Sequence, residues 1–352
     1  MQQRSGNNVR TGPQLYIGVQ RLDTRDAWQI THLLLTYGAT VDARDQKDLT
    51  PLFYAALRGN EATTRVLINH GANIHATECF EGNTILHAAC ASYDVGIVTM
   101  LLSLEANANA RNDRGWTPIM AATGCGCFEV LQLLILQGAD VNAVDKSGSS
   151  ALGYAIASRG LDIIRLLVNH GADMHNVSNR GTALHEAIWR HSNPHSNHLF
   201  GHVAQILLAG GFDINVRDGR GRTALMEATV SNQLEVIDFL LDNNADISAK
   251  DDCSNSALHL AAGSGMCTSI EELLARGAEI NARNNCERTP LMEATVSSQL
   301  EAKDFLLDKN ADISSKDNCG NSALHLGAGS GMCTYRGTPY AGASTKYLED
   351  EH

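Results

Sequence analysis

Residues 112–145 read NDRGWTPIMAATGCGCFEVLQLLILQGADVNAVD, and this stretch decides the fold. Thr117 is a helix N-cap residue, and Pro118 follows where a missing N–H costs nothing and φ is already suitable. Ile119, Ala122 and Thr123 then fall on one face at helical spacing. The run Gly124-Cys125-Gly126 stops that helix, because glycine readily takes the left-handed cap conformation. Phe128, Val130, Leu131, Leu133, Leu134 and Ile135 make a second helix apolar on nearly every side, which predicts burial between neighbours. Gly138 caps it, and ADVNAVDKSG runs out as an extended finger turning at 145–148. Neither helix can bury its apolar face alone, so the unit must stack on others.

The rest of the chain supplies those others at a spacing of 33 residues. The exit of the second helix recurs as LVNHGADMHN (167–176), LDNNADISAK (241–250), LARGAEINAR (274–283) and LDKNADISSK (307–316), with Gly138, Gly171, Asn244, Gly277 and Asn310 in register. About 21 residues before each exit lies a start of the form TPLFYAA (50–56), TILHAAC (84–90), SALGYAI (150–156), TALMEAT (223–229), SALHLAA (256–262) or TPLMEAT (289–295). A fixed period of this length means stacked supersecondary units, which present a surface more often than they enclose a pocket.

The helix–turn–helix–finger unit resembles the ankyrin repeat. The predicted fold is an all-α ankyrin-repeat solenoid with hairpin-like finger loops. A degenerate first repeat (about 14–45) precedes repeats at 46–79, 80–112, 113–145, 146–178, 179–218, 219–251, 252–284 and 285–317, with a half-repeat at 318–333. Residues 1–13 and 334–352 are expected to be a flexible N-terminus and a disordered tail. Residues 222–268 and 288–334 are identical at 38 of 47 positions, a tandem copy of a two-repeat block. In the second copy Val236 and Ile237 become Ala302 and Lys303, and the text after Thr334 lacks a second Leu-rich helix. A lysine there suits a unit that is not covered, so the C-terminal unit is expected to fray.

Length would suggest two or three globular domains in 352 residues, but a repeat array can be one domain of any length. The net charge of −12 disfavours a nucleic-acid backbone as the main partner. No apolar stretch approaches 18 residues and the N-terminus has no hydrophobic core of a leader, so neither membrane insertion nor secretion is expected. The nine cysteines include Cys253, Cys286 and Cys319 at the repeat period, and Cys267 and Cys333 at twice that period. Such copies predict reduced thiols in a cytoplasmic or nuclear protein. A monomer without a cofactor is expected.

Several residues stand out as candidate chemistry. His87, His185, His259 and His325 recur once per unit, and the resemblance implies a structural hydrogen bond at the helix start. Repeat 6 is eight residues longer than its siblings, and the stretch RHSNPHSNHLFGH (190–202) around that extra length carries His191, His195, His198 and His202, whose spacing could present imidazoles to a metal. Ser192-Asn193-Pro194 instead suggests a surface loop. Glu186 and Glu227, with Glu293, share a first-helix position that the resemblance places on the concave groove. They could form an acidic recognition stripe or, as a second reading, an acquired general acid–base pair. A partner surface is expected around Leu49, Phe53, Tyr54, Phe80, Arg114 and Trp116, since interfaces favour aromatic and arginine anchors. The resulting expectation is a protein-binding scaffold or adaptor. The alternatives are an enzyme or ligand-binding protein with a groove site near repeat 6, and the ankyrin portion of a longer protein.

Overall fold

A computed structural model describes residues 26–158, 160–176, 178, 181–190 and 197–329. Among these residues are eighteen helices and no β-structure beyond isolated bridges. They form two series. The second helices of the repeats are α1 (Ala27–Thr36), α3 (Glu61–Asn69), α5 (Val95–Ser103), α7 (Phe128–Leu136), α9 (Leu161–Asn169), α11 (Asn197–Ala209), α13 (Leu234–Asp242), α15 (Cys267–Ala275) and α17 (Leu300–Asp308). The first helices are α2 (Pro51–Leu57), α4 (Ile85–Ala91), α6 (Pro118–Cys125), α8 (Ala151–Ser158), α10 (Ala183–Arg190), α12 (Ala224–Val230), α14 (Ala257–Ser264), α16 (Pro290–Val296) and α18 (Ala323–Gly327). Among the described helices, α2 to α17 pack on their partners within the repeat, and all pack on a same-series helix of an adjacent repeat. The core is accordingly one continuous apolar spine running through the array.

Two features of the repeat fix the chain's course. Thr50, Thr84, Thr223 and Thr289 have extended backbone and accept a hydrogen bond from the amide three residues on, closing the first turn of each first helix. Thr117 has the same backbone but no such bond, and its buried hydroxyl lacks a partner. At the exit of the second helix Gly138, Gly171 and Gly277 have φ of 80°, 79° and 92°, and Asn244 and Asn310 take the same left-handed region at 66° and 64°. The opening periodicity in glycine and asparagine is therefore a periodicity of helix ends.

The repeats are tied together by polar contacts as well as apolar ones. Within the finger, Asp145 accepts from the amides of Ser147 and Ser149 at 2.8 and 3.0 Å, and Asp218, Asp251 and Asp317 do the same in their own turns. Successive tips are joined by backbone hydrogen bonds, among them Lys146 N to Arg114 O at 2.9 Å and Asn285 N to Cys253 O at 3.0 Å. A further tie explains the Asn of ADVNA. Asn109 and Asn142 accept from Asp140 N and Asp173 N at 2.7 Å, and their amides donate to Gly138 O and Gly171 O at 3.1 and 3.0 Å. Each such asparagine is a rung of its own.

Two expectations need correction here. α11 has thirteen residues where most second helices have nine, so part of the repeat 6 insertion lengthens a helix instead of forming only a loop. Cys319 is bonded in a disulfide, against the expectation that all thiols are reduced. Lys303, on α17, is half-buried, as an end unit permits.

Candidate functional site: the groove and finger edge

The recurrent histidines resolve first. Thr84 N–H donates to His87 Nδ1 at 3.3 Å, so Nδ1 is an acceptor and the ring proton sits on Nε2. That Nε2 donates to Trp116 O of the next repeat at 3.1 Å. His259 repeats the pattern, taking Ser256 N–H at 3.2 Å and donating to Arg288 O at 3.0 Å, and His185 lies 3.1 Å from Arg222 O. Burial holds all three imidazoles below the usual range, His87 at about 4, so they are neutral staples between repeats. The structural role extends further than the helix start, since it reaches the adjacent repeat.

The proposed partner residues divide sharply. Phe53 is only 5% exposed and belongs to the core, so its expected place on the partner surface is wrong. Its apolar side chain faces the spine because the first helix turns that position inward. Leu49 and Tyr54 are half-buried, and Tyr54 Oη donates to Asp45 Oδ2 at 2.7 Å, which pulls that carboxyl below its ordinary value together with the Leu49 amide. Trp116 is half-buried as well. Its Nε1 donates to Tyr154 Oη at 2.9 Å and Asp145 Oδ2 at 3.3 Å, and the two rings meet edge to face at 4.9 Å. Tyr154 Oη in turn donates to Asp145 Oδ2 at 2.5 Å. Trp116 thus joins finger to helix across two repeats while leaving part of its ring at the surface.

Phe80 is different: it is 68% exposed. Its tip is rigid nonetheless, because the buried Glu78 carboxylate accepts from Phe80 N at 2.6 Å, Glu81 N at 2.9 Å and Asn83 N at 3.1 Å. Exposed Arg114 pairs with Glu81 at 2.6 Å beside it.

The groove carboxylates are deeply placed. Glu186 and Glu227 are 7% and 6% exposed, on α10 and α12. Burial raises the Glu227 carboxyl, opposed by Arg222 at 3.6 Å; Glu293 is raised in the same way, opposed by Arg288 at 3.8 Å and by an amide of Asn284 at 2.9 Å. Burial thus favours the protonated carboxyl in each pair, while one facing guanidinium, Arg222 or Arg288, favours the charged form.

Metal and thiol chemistry have less support. Among the described residues no group of three or more His, Cys, Asp or Glu gathers as metal ligands. His191, His195 and the side chain of His198 lie outside the described residues, and His202 is exposed on α11. Burial pushes the Cys90 thiol well above its ordinary value and Cys125 up to about 11, with neighbouring thiols adding to both. Thiolate chemistry is disfavoured there.

Sequence reasoning missed Tyr154, Asp145 and Glu78, which organise this edge. A signal existed: Tyr54 and Tyr154 occupy the same helix position, each nine residues after an aspartate.

The family profile described as Ankyrin repeats (3 copies) matches residues 24–112, 72–145, 90–178, 134–196, 177–251 and 258–335, which together span most of the sequence. The chain belongs to the ankyrin-repeat family. It is similar to a putative ankyrin repeat protein of fowlpox virus (strain NVSL), 33% identical over 113 residues, covering 30% of this chain and 33% of that protein. The Neurogenic locus Notch protein of Drosophila melanogaster is 34% identical over 110 residues, 27% of this chain and 4% of its own length. The human ankyrin repeat, SAM and basic leucine zipper domain-containing protein 1 is 36% identical over 103 residues, 28% of this chain and 21% of its own length. The matches thus span a third or less of the length of these relatives. Among the described residues no helix is long and apolar enough to cross a membrane.

Proposed function

We propose that the array is a scaffold or adaptor that binds a protein partner along the finger edge and groove of repeats 2 to 5. Ankyrin repeats mediate protein–protein contacts, and the observation that most supports this edge is Phe80. A large aromatic ring stands out in solvent on a tip whose backbone is fixed by Glu78. A rigid anchor loses little conformational freedom on binding, and aromatic and arginine residues dominate interface energetics. Arg114, Leu49, Tyr54 and the surface part of Trp116 flank it. Trp116 acts in two ways, since its indole also holds Tyr154 and Asp145.

That double role makes Phe80, rather than Trp116, the residue to test. Affinity capture with wild type, Phe80→Ala and Leu136→Ala separates the finger edge from an equally exposed apolar residue on α7. The expected result is a partner retained by Leu136→Ala and weakened at least about tenfold by Phe80→Ala, the loss typical of a hot spot. Partners held equally by all three would refute the assignment.

A further inference from the structure

Near the N-terminal end of the array two imidazoles meet. His32 lies on α1 and His70 is the C-cap residue of α3, so they belong to successive repeats. Both are exposed, and their ring centres stand 5.2 Å apart with the planes at 70°. The register of this contact recurs along the array: a residue five positions before one C-cap meets the C-cap residue of the next second helix. In repeats 7 and 8 it joins Asp238 to Arg276, an ion pair at 3.1 Å. In repeats 4 and 5 the same register holds Gln132 and His170.

A second observation concerns the His70 ring itself. Its Nδ1 lies 2.9 Å from Val66 O. A carbonyl only accepts, so Nδ1 of the neutral ring carries the proton and Nε2 keeps its lone pair. Metal-binding histidines are held in the same way, by the other ring N–H on a carbonyl. Among the described residues none hydrogen-bonds to the His32 ring. A tetrahedral ion with two imidazole nitrogens at about 2.0–2.1 Å holds the ring centres roughly 5 Å apart, close to the separation here. The χ2 of an exposed histidine is broad and turns fast, so aiming a His32 nitrogen needs a rotation and no backbone movement. His170 makes the same bond, to Leu166 O at 2.8 Å, but has glutamine instead of histidine at the register. It is a control built into the chain.

We propose that His32 and His70 together bind a Zn²⁺ ion across α1 and α3, with water in the remaining positions. Imidazole is a ligand suited to this ion. Two protein ligands make the site weaker and more exchangeable than a closed structural one of four. Its effect would fall on α1. No residue of that helix is buried, and Trp28, Leu33 and Leu34 are 39%, 56% and 57% exposed. An ion that binds only when α1 lies on α3 stabilises that packing. The inference stands apart from the groove-binding reading above.

The test is hydrogen exchange on the full chain with and without Zn²⁺, after calorimetry has set the dissociation constant. With Zn²⁺ at about ten times that constant, amides of α1 should exchange about tenfold more slowly. His32→Gln and His70→Gln should each abolish the protection, and His170→Gln should keep it. Both ligands are exposed, so neither substitution removes core packing; His32→Gln also leaves every hydrogen bond in place. Unchanged exchange in α1, or protection that persists in either variant, would overturn the proposal. Heat of Zn²⁺ binding without protection of α1 would assign the ion to another part of the chain, such as the His-rich stretch 190–202, and would overturn it as well.

Discussion

The two copies of the duplicated block, 222–268 and 288–334, carry almost the same text in two settings. In the first, α14 runs eight residues from Ala257 and Leu258 is 1% exposed; in the second, α18 runs five from Ala323 and the matching Leu324 is 81% exposed. Both helices begin with the same capping box, Ser256 with His259 and Ser322 with His325. The caps are equivalent, yet the helices differ. α14 packs between α12 and α16, whereas among the described helices α18 packs on α16 alone in its series. Local sequence starts the helix, and a neighbour on each side completes it.

The comparison is broken or sharpened most strongly by cutting the same side chain from both copies. Leu258→Ala should cost about 2–5 kcal/mol in urea unfolding, as for a buried leucine, whereas Leu324→Ala should stay within about 0.5 kcal/mol. Equal losses would mean that α18 is covered as well as α14.

Acidification probes the staples between repeats. His87, His185 and His259 have folded pKa values below the unfolded value of about 6.5, so protonation favours the unfolded chain. Their contribution is complete above pH 6.5 and is lost as the pH falls toward the folded pKa, about 4 for His87. For His87 that loss amounts to about 3 kcal/mol. Glu227 and Glu293 act in the opposite sense, because their raised pKa values let the folded chain bind protons more readily. With three histidines against two carboxylates, stability should fall between pH 6.5 and 4, and His87→Gln should flatten the slope. A slope unchanged in that variant would remove His87 from the account.

The smallest expected effect concerns the caps. Thr223 accepts the Met226 amide, so Thr223→Ala should lower stability by about 1 kcal/mol. Thr117 makes no such bond, and Thr117→Val removes a buried unpaired hydroxyl. That change should be neutral or slightly stabilising.

Much of this was legible beforehand because periodicity reports position within a unit. Thr117, Pro118, Gly126 and Gly138 could be assigned to helix starts and ends from their own neighbours in sequence. The environment of Trp116 could not, since Asp145 and Tyr154 lie 29 and 38 residues away, at the far end of its own repeat and in the following one. Phe53 was misplaced for a related reason. A position between exposed Arg58 and the finger reads as groove surface until the helix phase is known, and that phase puts Tyr54 outward and Phe53 inward.

Hydrogen exchange on the twin segments SALHLAA (256–262) and SALHLGA (322–328) tests most directly the claim that stacking, and not local sequence, completes each unit. The capping boxes match, so intrinsic helix signals are nearly shared. Amides of α14 should open only with the surrounding array, and those of α18 should exchange orders of magnitude faster. Equal protection in the two segments would contradict the account.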